Sequence, residues 1–472
     1  MNLFNQLDHA EEDDFPLLRE EDIDQVLEDD GERPVDLEED GMVPRLGDHV
    51  EASFGNLEQS AVYKGKPEQD ITWNKVALHQ NNRSVFTLSL HPKFPNPPLA
   101  ITGGEDDLGY IFCPIPFSNS TDAQSFTSKT FLPIRLTGHT DSVTAAAWNF
   151  DGEMIATGGM DGRVRFWRRG RKRRGKPLDD SVLNTIEGWR AWEFITNLET
   201  GSEINASIHW LKWHPKGNVL AAGCEDASVW LWNLPSGDTL AVLSSHSMSC
   251  TSGLFPLPAK HLLTASLDSS LILWDPRTSM PVWKTNIFLP PESPDTDPSI
   301  HGITCIALSP RGDVLAAGSC SGSVKIISLA KGGILATLNA HKEGDSVEAL
   351  AFIDLSGGSA VSGGKGLMCI SCGTDGRGFI WDVATGRNRH EIRHGGPITS
   401  LSCHPSPNNH LFTTASTDST VKTWDVRTGT LLATHHGHHG AVNEVAVAPF
   451  EDGLAIISAG DEGACMAWKI EY

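Results

Sequence analysis

An all-β protein built from sheets repeated around a ring is predicted by one short pattern that returns along most of the chain. The pattern starts with a small residue, passes a turn aspartate and ends in a tryptophan six residues later, as over residues 157–167, 264–274 and 414–424. Apolar and polar residues alternate beside it, with Gly, Asp and Ser between the runs, which is typical of short antiparallel strands. Self-similarity at this period indicates a radial repeat architecture.

Eight such units can be laid out, and their third strands mark the repeat most clearly. Those strands end, in chain order, at Phe112, Trp167, Trp232, Trp274, Ile327, Trp381, Trp424 and Trp468. The first unit has phenylalanine in place of tryptophan, and the fifth has lost both the aspartate and the tryptophan. The segments resemble WD repeats, the four-stranded blades of a β-propeller. The resemblance implies an all-β fold, a single eight-bladed WD-repeat β-propeller with a disordered acidic N-terminal tail.

The two ends of the repeat region predict how the ring closes. The chain ends at Tyr472, just after the third strand of the eighth unit, so we expect the outer strand of that unit to come from elsewhere. Residues 71–78 precede the first unit, read as a strand and have no other partner in the layout. Pairing them with the last strand would leave no open sheet edge. We therefore predict a tail at residues 1–66 and a propeller at residues 67–472, closed by strand 71–78.

Histidines beside aspartates invite a catalytic interpretation, but their repetition favours a structural one. In WD repeats, the positions concerned form a buried hydrogen-bonded tetrad. The sets are His139, Thr157, Asp161 and Trp167; His246, Thr264, Asp268 and Trp274; His341, Ser371, Asp375 and Trp381; and His394, Thr414, Asp418 and Trp424. A catalytic set would occur once, whereas buried polar groups must be paired in every blade. Because the sequence shows no nucleophile with its base, no phosphate loop and no metal set, we expect no enzyme activity, no catalytic residue, no metal and no cofactor.

Charge is concentrated at the N-terminus. The formal net charge is −23, and residues 1–50 contain eighteen Asp and Glu against three Arg. Low hydrophobicity with high charge predicts a segment that is disordered on its own. Ile23, Val26 and Leu27 interrupt it at helical spacing. The tail is therefore either a solubilising segment with scattered apolar residues or an acidic segment that becomes ordered on a basic partner.

One basic run opposes this trend, since seven of the nine residues from Arg168 to Lys176 are Arg or Lys. It falls between the third and outer strands of the second unit. Four explanations remain open: a solvated loop, an RNA contact, a nuclear localisation signal, or a contact with the acidic tail. The net charge of the whole chain argues against nucleic-acid binding as its general function, so we expect no direct nucleic-acid partner.

The cysteines and the hydropathy of the chain indicate in which cellular compartment the protein is expected. The nine cysteines are scattered, and the Cys369–Cys372 pair lies on a strand with no second pair at metal spacing, which disfavours zinc or redox chemistry. Such cysteines suit a reducing cytosol. The acidic N-terminus has no secretory signal, and no apolar run approaches ~18 residues, so no membrane partner is expected. We expect a monomer in the cytoplasm, with the nucleus as an additional location.

The partner-binding surface is predicted from positions that face the upper opening of a propeller. They are the residue before the turn aspartate and the residue two before the first apolar residue of the inner strand, with their neighbours. The candidates are Glu105, Asp107, Asp141, Glu225, Asp345, Asp461 and Glu462, with Arg83 as the main exception. Their convergence around one opening would create a focused negative field for a basic peptide.

A narrower resemblance combines the acidic tail, the eight units and the segments at residues 85–92, 136–143 and 157–162. Together they resemble the angio-associated migratory cell protein family and its fungal ribosome-assembly relatives. This resemblance implies a dedicated chaperone. It would capture the basic N-terminal segment of a newly synthesised large-subunit ribosomal protein, the one that joins last near the peptidyl-transferase centre, and support assembly of the 60S subunit.

An alternative function is suggested by two Trp-Asp-x-Arg sequences, at residues 274–277 and 424–427. They resemble the box found in WD-repeat substrate receptors of cullin-type ubiquitin ligases. The other explanation is that each arginine caps the exit of its strand and pairs with an acidic neighbour.

Overall fold

The computed structural model describes residues 73–116, 126–170, 172–173, 176–177, 180–200, 206–288, 301–356 and 366–471. The predicted tail at residues 1–66 lies outside this part of the chain. The described residues form eight four-stranded antiparallel sheets. The predicted eight-bladed β-propeller is therefore confirmed.

The first half of the ring contains two strands beyond the blade pattern. The first described strand is β1 (Asn74–Ala77), and blade 1 contains β2 (Val85–Leu90), β3 (Ala100–Gly104), β4 (Gly109–Phe112) and β5 (Ile134–Leu136). Blade 2 contains β6 (Val143–Trp148), β7 (Met154–Gly159), β8 (Arg163–Arg169) and β11 (Trp192–Glu199), and the hairpin of β9 (Lys172–Arg173) and β10 (Lys176–Pro177) lies between its last two strands. Blade 3 contains β12 (Ile208–Trp213), β13 (Val219–Cys224), β14 (Ser228–Asn233) and β15 (Asp238–Ser244), and blade 4 contains β16 (Cys250–Leu254), β17 (Leu262–Ser266), β18 (Ser270–Asp275) and β19 (Met280–Asn286).

The second half follows the pattern without an inserted strand. Blade 5 contains β20 (Ile303–Leu308), β21 (Val314–Ser319), β22 (Ser323–Ser328) and β23 (Ile334–Asn339), and blade 6 contains β24 (Val347–Asp354), β25 (Leu367–Gly373), β26 (Arg377–Asp382) and β27 (Arg387–Arg393). Blade 7 contains β28 (Ile398–Cys403), β29 (Leu411–Ser416), β30 (Val421–Asp425) and β31 (Leu431–His435). Blade 8 contains β32 (Val442–Phe450), β33 (Gly453–Gly460) and β34 (Ala464–Glu471).

The first strand of every blade lines the central channel. Each of these inner strands contacts the inner strand of the next blade, and β32 of blade 8 contacts β2 of blade 1, which closes the circle. Apolar side chains of neighbouring blades meet between the sheets. The cluster around Leu263, Leu273, Ile303 and Ile327, for example, joins blades 4 and 5. The core is thus a series of interfaces between blades, as expected for repeats that contact only their neighbours.

Strand β1 occupies the outer position of blade 8. It pairs antiparallel with β34, so that Asn74 lies opposite Ala467 and Ala77 lies opposite Ala464. The Trp73 ring lies 5.1 Å from the ring of Phe450, and Val76 packs against the apolar cluster shared by blades 8 and 1. Chain segments from the two ends of the propeller therefore complete one sheet and cover the edge of β34.

The loops divide between two faces. The upper face carries the turns between second and third strands and the connections from each outer strand to the next blade; the lower face carries the other connections. The largest described insertion lies on the lower face between β8 and β11 and contains the hairpin β9–β10 and the short helices α1 (Asp180–Leu183) and α2 (Ile186–Trp189). Arg169 fixes its base, because its guanidinium lies 3.5 Å from the centre of the Trp189 ring and bonds to Glu153 at 2.8 Å. The basic run from Arg168 to Lys176 thus begins on the lower face, although residues 171, 174 and 175 lie outside the described part.

Candidate functional site

The four predicted tetrads all form hydrogen-bonded sets at the upper ends of their blades. In blade 7, the two ring nitrogens of His394 lie 3.1 Å from the Asp418 carboxylate and 2.8 Å from Thr414 Oγ1, and the Trp424 indole N–H donates to the same hydroxyl at 2.9 Å. The set around His341 shares this geometry, and His139 makes the matching contacts to Asp161 and Thr157. His246 bonds to Thr264, but its other ring nitrogen lies 2.8 Å from Ser270 Oγ and 3.5 Å from Asp268. Each set ties the turn before the third strand to the loop that enters the blade.

Two further sets were missed by the sequence analysis. In blade 1, His79 lies 2.6 Å from Asp106 and 3.2 Å from Thr102. In blade 8, His438 lies 2.6 Å from both Glu462 and Ser458. Spacing would have revealed both, because His79 precedes its inner strand by the same six residues as His341, and His438 precedes its strand by the same four as His139.

The protonation states of these sets suit a structural role. Burial is the largest influence on His79, His341 and His394 and lowers the pKa of each imidazole despite a carboxylate beside it. Burial opposes ionisation of Asp268 and Asp418, but hydrogen bonds from histidine, hydroxyl and backbone groups outweigh it and hold the pKa of both carboxyls well below the usual range. In the sets around His79, His341 and His394, a histidine with a lowered pKa beside a carboxylate is a hydrogen-bonded buried pair.

An acidic cavity of about 520 Å³ opens on the upper face between blades 1 and 2. Its walls include four carboxylates, those of Glu105, Asp106, Asp107 and Asp141. One cation, Arg83, also lines it and bonds to Glu105 at 2.5 Å, while the Ser84 N–H donates to the other oxygen of Glu105 at 3.2 Å. The cavity therefore keeps an excess of negative charge after this pair is counted.

Asp107 carries the clearest sign of that excess. Burial first, and then the charges of Asp141, Asp106 and Asp161, raise the pKa of the Asp107 carboxyl. The residue also adopts a left-handed backbone conformation, with φ of 63°, which aspartate tolerates better than most residues. Asp107 is thus a partly buried carboxylate whose negative charge is disfavoured by its neighbours, and a cation placed in the cavity would relieve that cost.

The structure brings together three of the seven predicted site residues, Glu105, Asp107 and Asp141. The others lie on other blades of the upper face. Glu225 is exposed in the turn after β13, and Asp345 lies 3.5 Å from Lys342 in the loop before β24. Asp461 accepts a hydrogen bond from the Asn443 amide at 2.8 Å. Glu462 belongs to the His438 set, with a side chain only 12 % exposed, so its carboxylate is already engaged within the protein.

A second cavity of about 600 Å³ follows the central channel along the inner strands of blades 1 to 3 and reaches those of blades 7 and 8. Glu444 lines it, accepts the Leu88 N–H at 2.5 Å and has a pKa raised by burial. Near the upper end, a recurring side chain joins neighbouring inner strands: Thr144 Oγ1 donates to Ile208 O at 2.6 Å and Thr251 Oγ1 to Ile303 O at 2.7 Å. This row of bonds was not anticipated from the sequence.

The remaining chemical candidates have structural explanations. Burial raises the pKa of the Cys369 and Cys372 thiols, and among the described residues no group of three or more His, Cys, Asp or Glu side chains could hold a metal ion. Arg277 and Arg427 of the Trp-Asp-x-Arg sequences pair with the aspartate of their own sequence, at 3.7 Å to Asp275 and 2.7 Å to Asp425. No helix within the described ranges is long and apolar enough to cross a membrane.

Eight blades with recurring hydrogen-bonded histidine sets define a WD-repeat propeller, with an acidic cavity on its upper face. The chain belongs to the WD-repeat protein family: it is 32 % identical over 418 residues to an uncharacterized WD repeat-containing protein of Schizosaccharomyces pombe, covering 87 % of this chain and 91 % of that protein. The family description "WD domain, G-beta repeat" matches residues 131–168, 298–328 and 386–425, and "Anaphase-promoting complex subunit 4 WD40 domain" matches residues 182–253.

Two relatives confirm the narrower resemblance. The human angio-associated migratory cell protein is 27 % identical over 414 residues, covering 85 % of this chain and 80 % of its own. Ribosome assembly protein SQT1 of Saccharomyces cerevisiae is 26 % identical over 435 residues, covering 85 % and 88 %. Among solved structures, Chaetomium thermophilum Sqt1 bound to the N-terminus of ribosomal protein L10 matches with a TM-score of 0.64 and 23 % identity, covering 83 % of this chain and 98 % of that one, which supports the fold.

Proposed function

We propose that the protein is a non-enzymatic chaperone that captures the basic N-terminal segment of a newly synthesised large-subunit ribosomal protein and supports 60S assembly. The observation that carries the proposal is the carboxylate-lined cavity between blades 1 and 2. The names of two similar proteins add support, since one is a ribosome assembly protein and the other was crystallised with the N-terminus of ribosomal protein L10. The N-terminal segment of L10 is therefore the client that we propose.

The chemistry of such a client explains why an acidic surface suits it. A segment rich in Arg and Lys binds RNA phosphates indiscriminately unless its charges are covered. Each exposed ion pair contributes only ~0–1 kcal/mol, so affinity must come from several carboxylates acting together. We propose that Glu105, Asp107, Asp141, Glu225, Asp345 and Asp461 share this role. We further propose that capture takes place in the cytoplasm, where the client is translated.

The proposal is tested by reversing charge on the upper face. The variant changes Glu105, Asp141, Glu225, Asp345 and Asp461 to Lys, and binding of a fluorescent peptide from the L10 N-terminus is followed by anisotropy. We expect binding to be eliminated while the thermal midpoint stays close to that of the unmodified protein. A matched control reverses five acids on the outer or lower surface, namely Glu193, Asp238, Glu391, Glu451 and Asp452. Equal loss of binding in the control would refute the upper-face assignment.

A second comparison separates the tetrads from the binding surface. Asp161→Ala removes the partner of His139 and should lower stability by ~1–3 kcal/mol, yet its folded fraction should bind the peptide almost normally.

In cells, isolation of the tagged protein during translation, followed by sequencing of the associated messenger RNA, should enrich the message of the client. Enrichment of ligase adaptors without any ribosomal-protein message would favour the ubiquitin-ligase alternative.

A further inference from the structure

The row of hydrogen bonds around the upper end of the channel is interrupted at three of the eight blades, one of which has a phenylalanine in place of the donor. The second residue of the inner strand bonds to the first residue of the next inner strand in five blades. The pairs are Thr144 with Ile208, Thr251 with Ile303, Thr304 with Val347, Thr399 with Val442, and Asn443 with Val85. At this position blade 3 has His209 and blade 6 has Glu348, which are polar, whereas blade 1 has Phe86, a side chain that cannot donate a hydrogen bond.

Phe86 is not explained by packing of the fold. It is 37 % exposed, whereas Val85 and Leu88 on the same strand are buried in the cores between blades. It lines the channel cavity of about 600 Å³ at its upper end. An aromatic ring that is 37 % exposed, at a position where four other blades have a threonine that joins two strands, gives up a stabilising bond without gaining full burial.

The position of Phe86 links it to the acidic cavity. In blade 1, Glu105 of the acidic cavity bonds to Arg83 and to the N–H of Ser84, two residues before Phe86. In blade 2, Asp141 and Ser142 of the acidic cavity shortly precede Thr144, which lines the channel. Along the chain, the linings of the two cavities are separated only by residues 84 and 85 in blade 1 and by residue 143 in blade 2. A peptide with a cation in the acidic cavity would place its neighbouring side chain at the mouth of the channel.

We propose that Phe86 and the upper mouth of the channel form a subsite for an apolar side chain of the client, adjacent to the acidic cavity that holds its cation. The inference rests on the proposed function and refines it: the protein would recognise an aliphatic or aromatic residue beside an arginine, and not positive charge alone. Phe86 would supply contact area that excludes water, and the carboxylates would supply the charge.

Synthetic peptides of equal charge test this subsite. One fluorescent twelve-residue peptide contains four arginines separated by Ser and Gly, and its partners replace one Ser beside an arginine with Leu or Tyr. We expect the Leu and Tyr peptides to bind the full-length protein about tenfold more tightly, the gain that burying part of one such side chain supplies. Phe86→Thr should abolish this advantage, leave binding of the Ser and Gly peptide unchanged, and keep the thermal midpoint equal or higher, because threonine restores the residue found in four other blades.

Phe150→Ala is the matched control. Phe150 is also aromatic, is 42 % exposed and lines the same cavity at its lower end. This variant should retain the preference for Leu and Tyr peptides, as should the conservative Phe86→Leu. Retention of the full preference by Phe86→Thr, or its equal loss in Phe150→Ala, overturns the subsite. Tight but equal binding of all the peptides also overturns it while leaving the proposed function intact, whereas failure of every basic peptide to bind contradicts the proposed function itself.

Discussion

His438 and Glu462 lie 2.6 Å apart at the upper end of blade 8, whereas His139, His341 and His394 are each paired with an aspartate. The longer glutamate still reaches its histidine, and Ser458 holds the second ring nitrogen at 2.6 Å. Blade 8 is also the blade that two distant chain segments complete, through β1 and β34. The His438–Glu462 contact fixes the turn before β34 and so stabilises the strand with which β1 pairs.

Removal of the Glu462 carboxylate should therefore destabilise the ring. Glu462→Ala leaves a buried histidine nitrogen unpaired, and we expect a loss of ~1–3 kcal/mol in the free energy of unfolding, measured with urea. The neighbouring Asp461→Asn keeps a hydrogen-bond acceptor for Asn443 and should lose less than half as much. Equal losses would show that the pair does not anchor blade 8.

The same pair gives a pH dependence with a defined sign. Burial opposes ionisation of Glu462, but the hydrogen bond and charge of His438 outweigh it and lower the pKa of the carboxyl. Its stabilising contribution is present above the unfolded pKa of about 4.3 and is lost as pH falls through the lower folded value.

The bonds between inner strands can be tested one at a time. Thr399 Oγ1 donates to Val442 O at 2.5 Å and joins blade 7 to blade 8. Thr399→Val keeps the shape of the side chain and removes the donor, so we expect a loss of ~0.5–1.5 kcal/mol in chemical denaturation. Thr399→Ser retains the hydroxyl and should preserve most of the stability. A serine variant as unstable as the valine variant would point to packing as the cause.

The sequence predicted the blades and four tetrads because both rest on residues close together in the chain. Asp161 and Trp167, for instance, are separated by one short turn, and their spacing is fixed by the geometry of a hairpin. His79 was overlooked because it lies six residues before its inner strand, a spacing that only His341 shares, whereas four other histidines lie four residues before theirs. Thr399 was overlooked for a different reason: a threonine in a strand reads as an ordinary β-forming residue, and its partner Val442 lies on another blade. Contacts between repeats leave no local spacing to recognise.

Closure of the ring by β1 predicts unequal effects of two deletions. Removal of residues 67–80 takes away β1, exposes the edge of β34 and also removes His79 from the blade 1 set. We expect a much lower thermal midpoint than for removal of residues 1–60, which leaves β1 in place. Differential scanning fluorimetry of the two truncations compares them directly. Equal midpoints would contradict closure by this strand as a source of stability.

A buried polar chain in blade 7 should make the protein sensitive to acid. His404 lies 2.7 Å from Thr413, Thr413 lies 3.1 Å from Thr423, and Thr423 lies 3.0 Å from His435, so the chain crosses the whole sheet. Burial lowers the pKa of His404 to about 3 and that of His435 to about 4. Because the folded state holds both rings neutral, their stabilising effect is complete above the unfolded pKa of about 6.5 and declines as pH falls towards the folded values.

The measurement is urea denaturation across pH 7 to 4. The unmodified protein should lose stability steadily below about pH 6.5, and His404→Gln, which has no titrating group, should show a shallower loss even if it is less stable at pH 7. The exposed His439→Gln serves as the control and should follow the unmodified protein. A His404→Gln profile parallel to that of the unmodified protein would rule out this source of acid sensitivity.

Replacement of Asp107 should weaken binding of the client without lowering the stability of the protein. Its carboxyl has a raised pKa because burial and the charges of Asp141 and Asp106 disfavour its ionised form, so the folded protein gains from removing that charge. Asp107→Asn also suits the left-handed backbone at this position, since asparagine adopts it readily. We expect a thermal midpoint equal to or slightly above that of the unmodified protein, together with weaker binding of the basic L10 peptide. Binding should also release protons at acidic pH, because a cation in the cavity favours the ionised carboxyl. Calorimetry in two buffers of different ionisation enthalpy measures this release, which Asp107→Asn should reduce and the lower-face Asp452→Asn should leave unchanged. An Asp107→Asn protein that is less stable but binds normally would show that this carboxylate supports the turn and does not receive the client.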